Sequence, residues 1–341
     1  MRIRLLISLA VSSAVITSAV LAPQLASAQA KAAAAKSEPK KWTQPKTPDG
    51  QPDLQGVWTN ATITPFERPA ALAGKAFLTE EEAAALERQA AQRRATVDDA
   101  PPRPGDVGNY NDFWFDSGTT VVSTRQSSLV VDPPDGRVPL RPDAEKRRDF
   151  NLTNTDSYEA MSPWDRCITR GPGRMFPAGY NNAYQIVQTP GYVMIAQEMI
   201  HEARIIPLDG RPHVDKGVRM WTGDPRGRWE GNTLVVETTN FNDKGWIATN
   251  GASARIRGVP HSESLKLVER FTRTDADTLV YEITVDDPTI FTRPWTVSMP
   301  LVRDNTYQIF EYACHEGNRA IEHILSAARA ADRDSATTKK Q

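Results

Sequence analysis

The chain has 341 residues, with 41 basic and 42 acidic side chains, so its net charge of −1 provides no field for gathering nucleic acid or anionic lipid. Two cysteines limit it to a single internal crosslink, and neither a phosphate loop, a dinucleotide fingerprint nor a G-x-S-x-G elbow is present. Those absences leave no sequence support for a nucleotide-dependent enzyme or a serine hydrolase of the elbow type.

Residues 1–30 place Arg2 and Arg4 before an apolar run that ends in two A-x-A sites, Ala26-Ser27-Ala28 and Ala28-Gln29-Ala30. This is the pattern of a cleaved secretory signal peptide, and the serines and threonines within the run argue against a retained anchor. The mature protein is therefore expected in the periplasm or outside the cell, without membrane insertion after cleavage. Residues 31–50, rich in Ala, Lys and Pro, read as a flexible tether, 51–335 as a single β domain and 336–341 as a disordered tail.

PDLQGVWTN reads as a turn feeding the first strand. Residues 78–95 predict a surface helix, with Thr79 as N-cap and Glu82 completing a capping box. After a Pro- and Gly-rich loop, NDFWFDSG and SSLVVDPPDGRVPL suggest a hairpin closed by Pro134-Asp135-Gly136.

From Tyr184 onward, strands alternate with turn chemistry. YQIVQT turns at Pro190-Gly191 into YVMIAQEMIHEARIIPL, read as one long strand, and RW turns at Gly231-Asn232 into TLVVETT. LKLVERFTR reverses near Asp275-Ala276-Asp277 into TLVYEITVD, and WTVSMPLVR reverses at Asp304-Asn305 into TYQIFEY. Leu279, Tyr281, Ile283 and Val285 share one face, as do Trp295, Val297, Met299 and Leu301. Successive hairpins of this kind predict an antiparallel all-β barrel or sandwich with long loop inserts, followed by a closing helix over 319–331 capped by Asn318.

Cys167 and Cys314 are the only thiols, and in an oxidising compartment they either pair or stay separately buried. A bridge would hold SPWDRC beside CHEGN, bringing Asp165 and Arg166 near His315 and Glu316. Alternatively, the same groups form a structural salt-bridge cluster around a staple. Cys314 and His315 lie on successive strand positions that face opposite ways, so they do not make a nucleophile and base.

Counting by twos from Val193 places His201 on the interior face and Arg204 on the outer one. His201 is then either a hydrogen-bonded core residue or the base facing a bound ligand. Arg204 or Arg166 would steady developing negative charge. Aromatic and amide residues in NDFWFDSG and GYNNAYQI, including Trp114, Asn181, Asn182 and Tyr184, make either a pocket wall or a packed loop layer. The five histidines show no local metal-binding spacing.

Gly56-Val57-Trp58 resembles the G-x-W that opens lipocalin-like barrels, where the tryptophan closes one end. That likeness implies a lipocalin-like barrel able to enclose one small ligand, with Trp58 beside it. More broadly, PDLQGVW, MIHEARIIPLDGRPH, WEGNTLVVETTNFND and FEYACHEGN resemble a family of uncharacterised secreted bacterial proteins, which implies one exported domain and assigns no catalytic residue.

The expectation is a barrel that binds a small apolar or aromatic molecule, with cofactor-free acid/base chemistry of lyase, isomerase or hydrolase type. The alternatives are a non-catalytic binding or envelope protein and a His-ligated metalloenzyme.

Overall fold

A computed structural model of the chain describes residues 42–96 and 116–338. The proposed signal peptide, most of the tether, the Pro- and Gly-rich loop, Trp114 and residues 339–341 lie outside them.

Period-two patterning produces the walls. β8 (Lys266–Arg273) and β9 (Thr278–Asp286) alternate buried and half-exposed residues along their whole length, and β10 (Trp295–Arg303) does so over its first half. Leu279, Tyr281, Ile283 and Val285 are buried on the interior face, opposite the buried Trp295, Val297, Met299 and Leu301.

Two meanders build the barrel. One comprises β3 (Ala183–Thr189), β4 (Tyr192–Gln197) and β5 (Ala203–Pro207), and the other runs from β6 (Asp224–Glu230) through β7 (Thr233–Thr239) to β10. β1 (Gly56–Thr59) pairs with β3 on one side and β10 on the other, giving the antiparallel path β5-β4-β3-β1-β10-β9-β8-β7-β6.

Parity then determines where the ring fails to close. Each strand on this path runs antiparallel to the next, and an odd number of them leaves the two end strands, β5 and β6, pointing the same way. They meet without a hydrogen-bonded ladder, so the barrel is nearly closed. Gly227 permits the approach, since a Cβ there would lie 2.7 Å from Ile206 Cγ2 and 2.6 Å from Leu208 Cδ2. Parallel neighbours need a crossover, which residues 208–223 supply from one barrel end to the other.

β2 (Val130–Asp132) pairs with β10 at Thr296 and Val297, whereas β1 pairs with it at Val302 and Arg303. Both strands thus share one edge of β10, separated by an excursion that carries α1 (Glu80–Ala95). The α1 capping box forms as expected: Glu82 N donates to Thr79 Oγ1 at 3.2 Å and Thr79 N donates to Glu82 Oε2 at 2.9 Å.

One end of the barrel, the floor, is closed by Trp58. Its indole is fully buried and donates to Leu54 O at 2.9 Å, while the Arg273 and Arg303 guanidiniums each lie 5.7 Å from the ring. Large side chains crowd the interior, where Trp58, Tyr184, Phe271, Tyr281 and Trp295 are all fully buried.

Several expectations need correction. Residues 42–50 are not loose tether, because Lys46 bridges to Pro52 and Asp53 N donates to Pro45 O at 2.8 Å. Val130–Asp132 is no hairpin arm but joins β10, and Pro134-Asp135-Gly136 turns the chain back onto Arg68. TYQIFEY is irregular, since β9 occupies one edge of β10 and β1 and β2 the other, leaving no edge to receive it. The sequence reading also missed α2 (Pro142–Thr153), which starts with Pro at its first turn and buries only Ala144. The closing helix α3 (Ala320–Thr338) is capped by Asn318, which accepts from Ala320 N at 2.9 Å, and it continues into the segment read as tail.

Candidate functional site

The long strand expected over 192–208 breaks at its middle. Ile200 (φ 65°) and His201 (φ 42°) both adopt left-handed backbone, so the chain reverses and β4 and β5 form a hairpin. The reversal resets the alternation. His201 is exposed rather than interior, and its Nδ1–H donates to Tyr312 O at 2.8 Å.

Arg204, expected on the outside, points into the barrel. Its Nη1 donates to Glu269 Oε1 at 2.8 Å and its Nη2 to Thr238 Oγ1 at 3.0 Å, with a second contact to Glu269 Oε2. Tyr281 OH also donates to Glu269 Oε1, at 3.0 Å, and burial together with the Glu269 charge holds this phenol well above its ordinary pKa. Arg204 is thus buried in a hydrogen-bonded ion pair within the core, although its Nε finds no partner there.

The other end of the barrel, the mouth, is stoppered by residues 169–178, every one of them buried. Tyr184 OH donates to Arg174 O at 3.2 Å from inside the barrel, and Arg174 Nη1 pairs with Glu202 Oε1 at 3.1 Å. Asn182 is fully engaged: its Nδ2 donates to Asp116 O at 2.7 Å and Ala178 O at 3.0 Å, and its Oδ1 accepts from Ala178 N at 2.8 Å. Tyr184, Asn182 and Trp58, expected to touch ligand, are therefore core and clamp residues. Asn181 takes a left-handed turn (φ 53°) beside the stopper.

Outside this stopper the disulfide organises the surface. Cys167 and Cys314 are bonded, with their Cα atoms 5.6 Å apart, pinning SPWDRC to the C-terminal arm. Asn318 Nδ2 reinforces the junction by donating to Asp165 O at 3.2 Å. Two clefts flank it.

The first, about 400 Å³, is walled by the aromatic rings of Trp164, Tyr180 and Tyr312, with Asp165, Glu316 and Asn318 on its polar side. The Tyr180 and Tyr312 rings stack with centroids 6.4 Å apart, and the Trp164 ring is tilted against Tyr180 at the same centroid distance. Burial raises the Asp165 carboxyl above its ordinary value, with the Arg257 charge opposing, and no hydrogen bond or ion pair reaches that carboxylate among the described residues.

The second cleft, about 610 Å³, lies on the other side of the same segment. Tyr158, Arg166, Trp221 and Lys244 line it, and Gly245, Trp246 and Pro260 form its inner wall. Behind that wall His261 is fully buried, so close that a Cβ on Gly245 would fall 2.1 Å from its Nε2. Burial lowers the imidazole pKa from 6.5 to about 4, so the ring is neutral at physiological pH.

No family model matches this chain, and no curated protein does either. The site must be read from its own geometry. Of the residues expected to converge, Asp165 and Glu316 share the first cleft; Arg166 turns into the second; His315 is exposed and lines neither. Among the described residues, no group of three or more His, Cys, Asp or Glu side chains is placed to hold a metal ion. No helix among them is long and apolar enough to cross a membrane.

Sequence reading passed over Trp164 and Tyr312, although each lies within three residues of a cysteine and could have been drawn in by the crosslink argument. Tyr158, Trp221 and Lys244 carried no local signal, since distant loops bring them together only at the mouth.

Proposed function

We propose that this is an exported small-molecule-binding protein whose ligand occupies the tyrosine cleft at the barrel mouth rather than the lumen. The ligand class is a small uncharged aromatic bearing a hydroxyl. One observation carries the reading: the disulfide gathers three aromatic rings around a half-buried carboxyl that has no partner of its own. Ring faces would hold the apolar body of the ligand, and Asp165 would accept its hydroxyl proton in a hydrogen bond. Export rests on the leader-like residues 1–30 and on the crosslink, which persists in oxidising compartments.

A catalytic reading has one specific support. The raised Asp165 pKa moves the carboxyl toward the range in which it can exchange protons with a bound hydroxyl, as cofactor-free acid/base chemistry requires.

Calorimetric titration of the mature protein with phenol tests the binding reading, with anisole as the analogue lacking the donor. Phenol is expected to bind, anisole to bind more weakly, and Tyr312→Ala to weaken phenol by about fivefold or more, the value of one lost ring contact. Equal heats for both compounds, or a Tyr312→Ala variant that binds phenol normally, would refute it.

A further inference from the structure

The second cleft differs in charge from the first and carries its own assignment. Arg166 is held in place by aromatic faces alone, its guanidinium 5.4 Å from the Tyr158 ring centroid and 5.8 Å from that of Trp221. No carboxylate pairs with it among the described residues, and its side-chain N–H donors have no hydrogen-bond partner there. Arg147 and Lys244 add two exposed cations to the same wall, likewise without ion-pair partners among the described residues.

A guanidinium immobilised by π contacts presents a planar fork of donors already ordered before a ligand arrives. That geometry matches a carboxylate, which accepts two parallel N–H bonds. Glu159 and Asp243 also line the cleft, so its three cations exceed its acids by only one. Such a balance favours a monoanion and disfavours phosphate, whose second charge would meet those carboxylates. Trp221 and Trp246 supply apolar surface beside the fork.

We propose that the cleft formed by Tyr158, Arg166 and Trp221 is a second ligand site, independent of the tyrosine cleft, which binds a small aromatic monocarboxylate with its carboxylate on Arg166. Lys244 and Arg147 attract the anion from the rim, and Trp221 packs against its ring.

The test is calorimetric titration of the mature protein with sodium benzoate, benzamide and inorganic phosphate at low ionic strength. Benzoate is expected to bind about tenfold or more tightly than benzamide, which has the same shape without the charge. Phosphate is expected to bind more weakly than benzoate. Arg166→Gln should lower benzoate affinity about tenfold or more, and Arg166→Lys should recover only part of the loss, because the charge returns without the fork.

Asp165→Asn should leave benzoate binding intact, which separates failure of this site from failure of the tyrosine cleft. If Arg166→Gln proves unfolded by circular dichroism, the surface variant Arg147→Gln/Lys244→Gln carries the test: it should bind benzoate about threefold more weakly than the parent at low ionic strength, and the difference should vanish at high salt. Equal affinity for benzoate and benzamide, tighter binding of phosphate, unchanged benzoate affinity in folded Arg166→Gln, or absence of binding at millimolar benzoate would each overturn the assignment.

Discussion

Asp165 and Arg166 are adjacent in the chain, yet each serves a different cleft. On one side Asp165 and Glu316 join three aromatic rings; on the other Arg166 joins Arg147 and Lys244. One crosslinked turn therefore divides the barrel mouth into an acidic aromatic cleft and a basic aromatic cleft. The difference shows why reading charge by segment misleads here. A crosslink is expected from sequence to gather both charges of SPWDRC into one cluster with His315 and Glu316, but Asp165 lines one cleft and Arg166 the other. The two clefts also depend differently on the disulfide. Tyr312, Glu316 and Asn318 all belong to the C-terminal arm that the bond pins, whereas the basic cleft takes its walls from loops at the mouth ends of β6, β7 and β8.

Removing the crosslink should therefore separate the two. The bond closes a loop spanning 147 residues, and the loop-entropy model assigns such a loop up to about 5 kcal/mol of stability. The double variant Cys167→Ser/Cys314→Ser is expected to lose several kcal/mol in urea unfolding and to lose phenol binding. Benzoate binding should stay within about threefold of the parent, since Tyr158 and Trp221 still flank Arg166. Equal loss at both clefts would show that they form one unit.

The barrel wall was legible because its signals are local. Leu279 to Val285 alternate without interruption, Gly231-Asn232 turns β6 into β7, and Thr79 and Glu82 mark the start of α1. The cysteine pairing was legible because the chain holds only two cysteines behind a leader-like segment. The site was not, and the reason lies at Ile200. A β-branched residue in left-handed backbone is rare, and neither Gly, Asn nor Pro marks the reversal, so counting by twos ran straight through it. That one missed turn exchanged His201 and Arg204 between solvent and core. The arm after Arg303 was misread for another reason: its alternation is real, but whether a strand edge remains free is a property of the finished sheet.

The two clefts also make opposite demands on pH, and the larger comes from the basic side. His261, neutral and buried behind Gly245, has its pKa lowered from 6.5 to about 4. The unfolded chain binds the extra proton across that interval, so stability is fully present above 6.5 and declines as pH falls toward about 4, by about 3 kcal/mol for this group. The hydrogen bond to Ser262 O moderates the shift, as do the charges of Asp287 and Asp243. Unfolding free energies measured through this window should fall on acidification, and His261→Gln should flatten the slope even where it lowers stability at every pH. A slope unchanged in that variant would assign the acid sensitivity to other groups.

The acidic cleft should show a smaller effect of the other sign. Burial raises the Asp165 pKa above 3.8, with Arg257 opposing, so the folded state holds this proton more tightly than the unfolded chain does. Stability then decreases as pH rises from 3.8 through the raised value, and the deficit persists at neutral pH. Asp165→Asn removes the buried charge while keeping the shape, and the Asn318 contact survives because it goes to the backbone carbonyl. The variant is expected to melt about 1–3 °C higher than the parent at neutral pH and at the same temperature in acid below 3.8. A ligand hydroxyl that donates to Asp165 relieves the same deficit, so phenol should raise the melting temperature of the parent more than that of Asp165→Asn. Equal shifts in the two proteins would mean that the carboxyl, though unpaired, plays no part in holding the ligand.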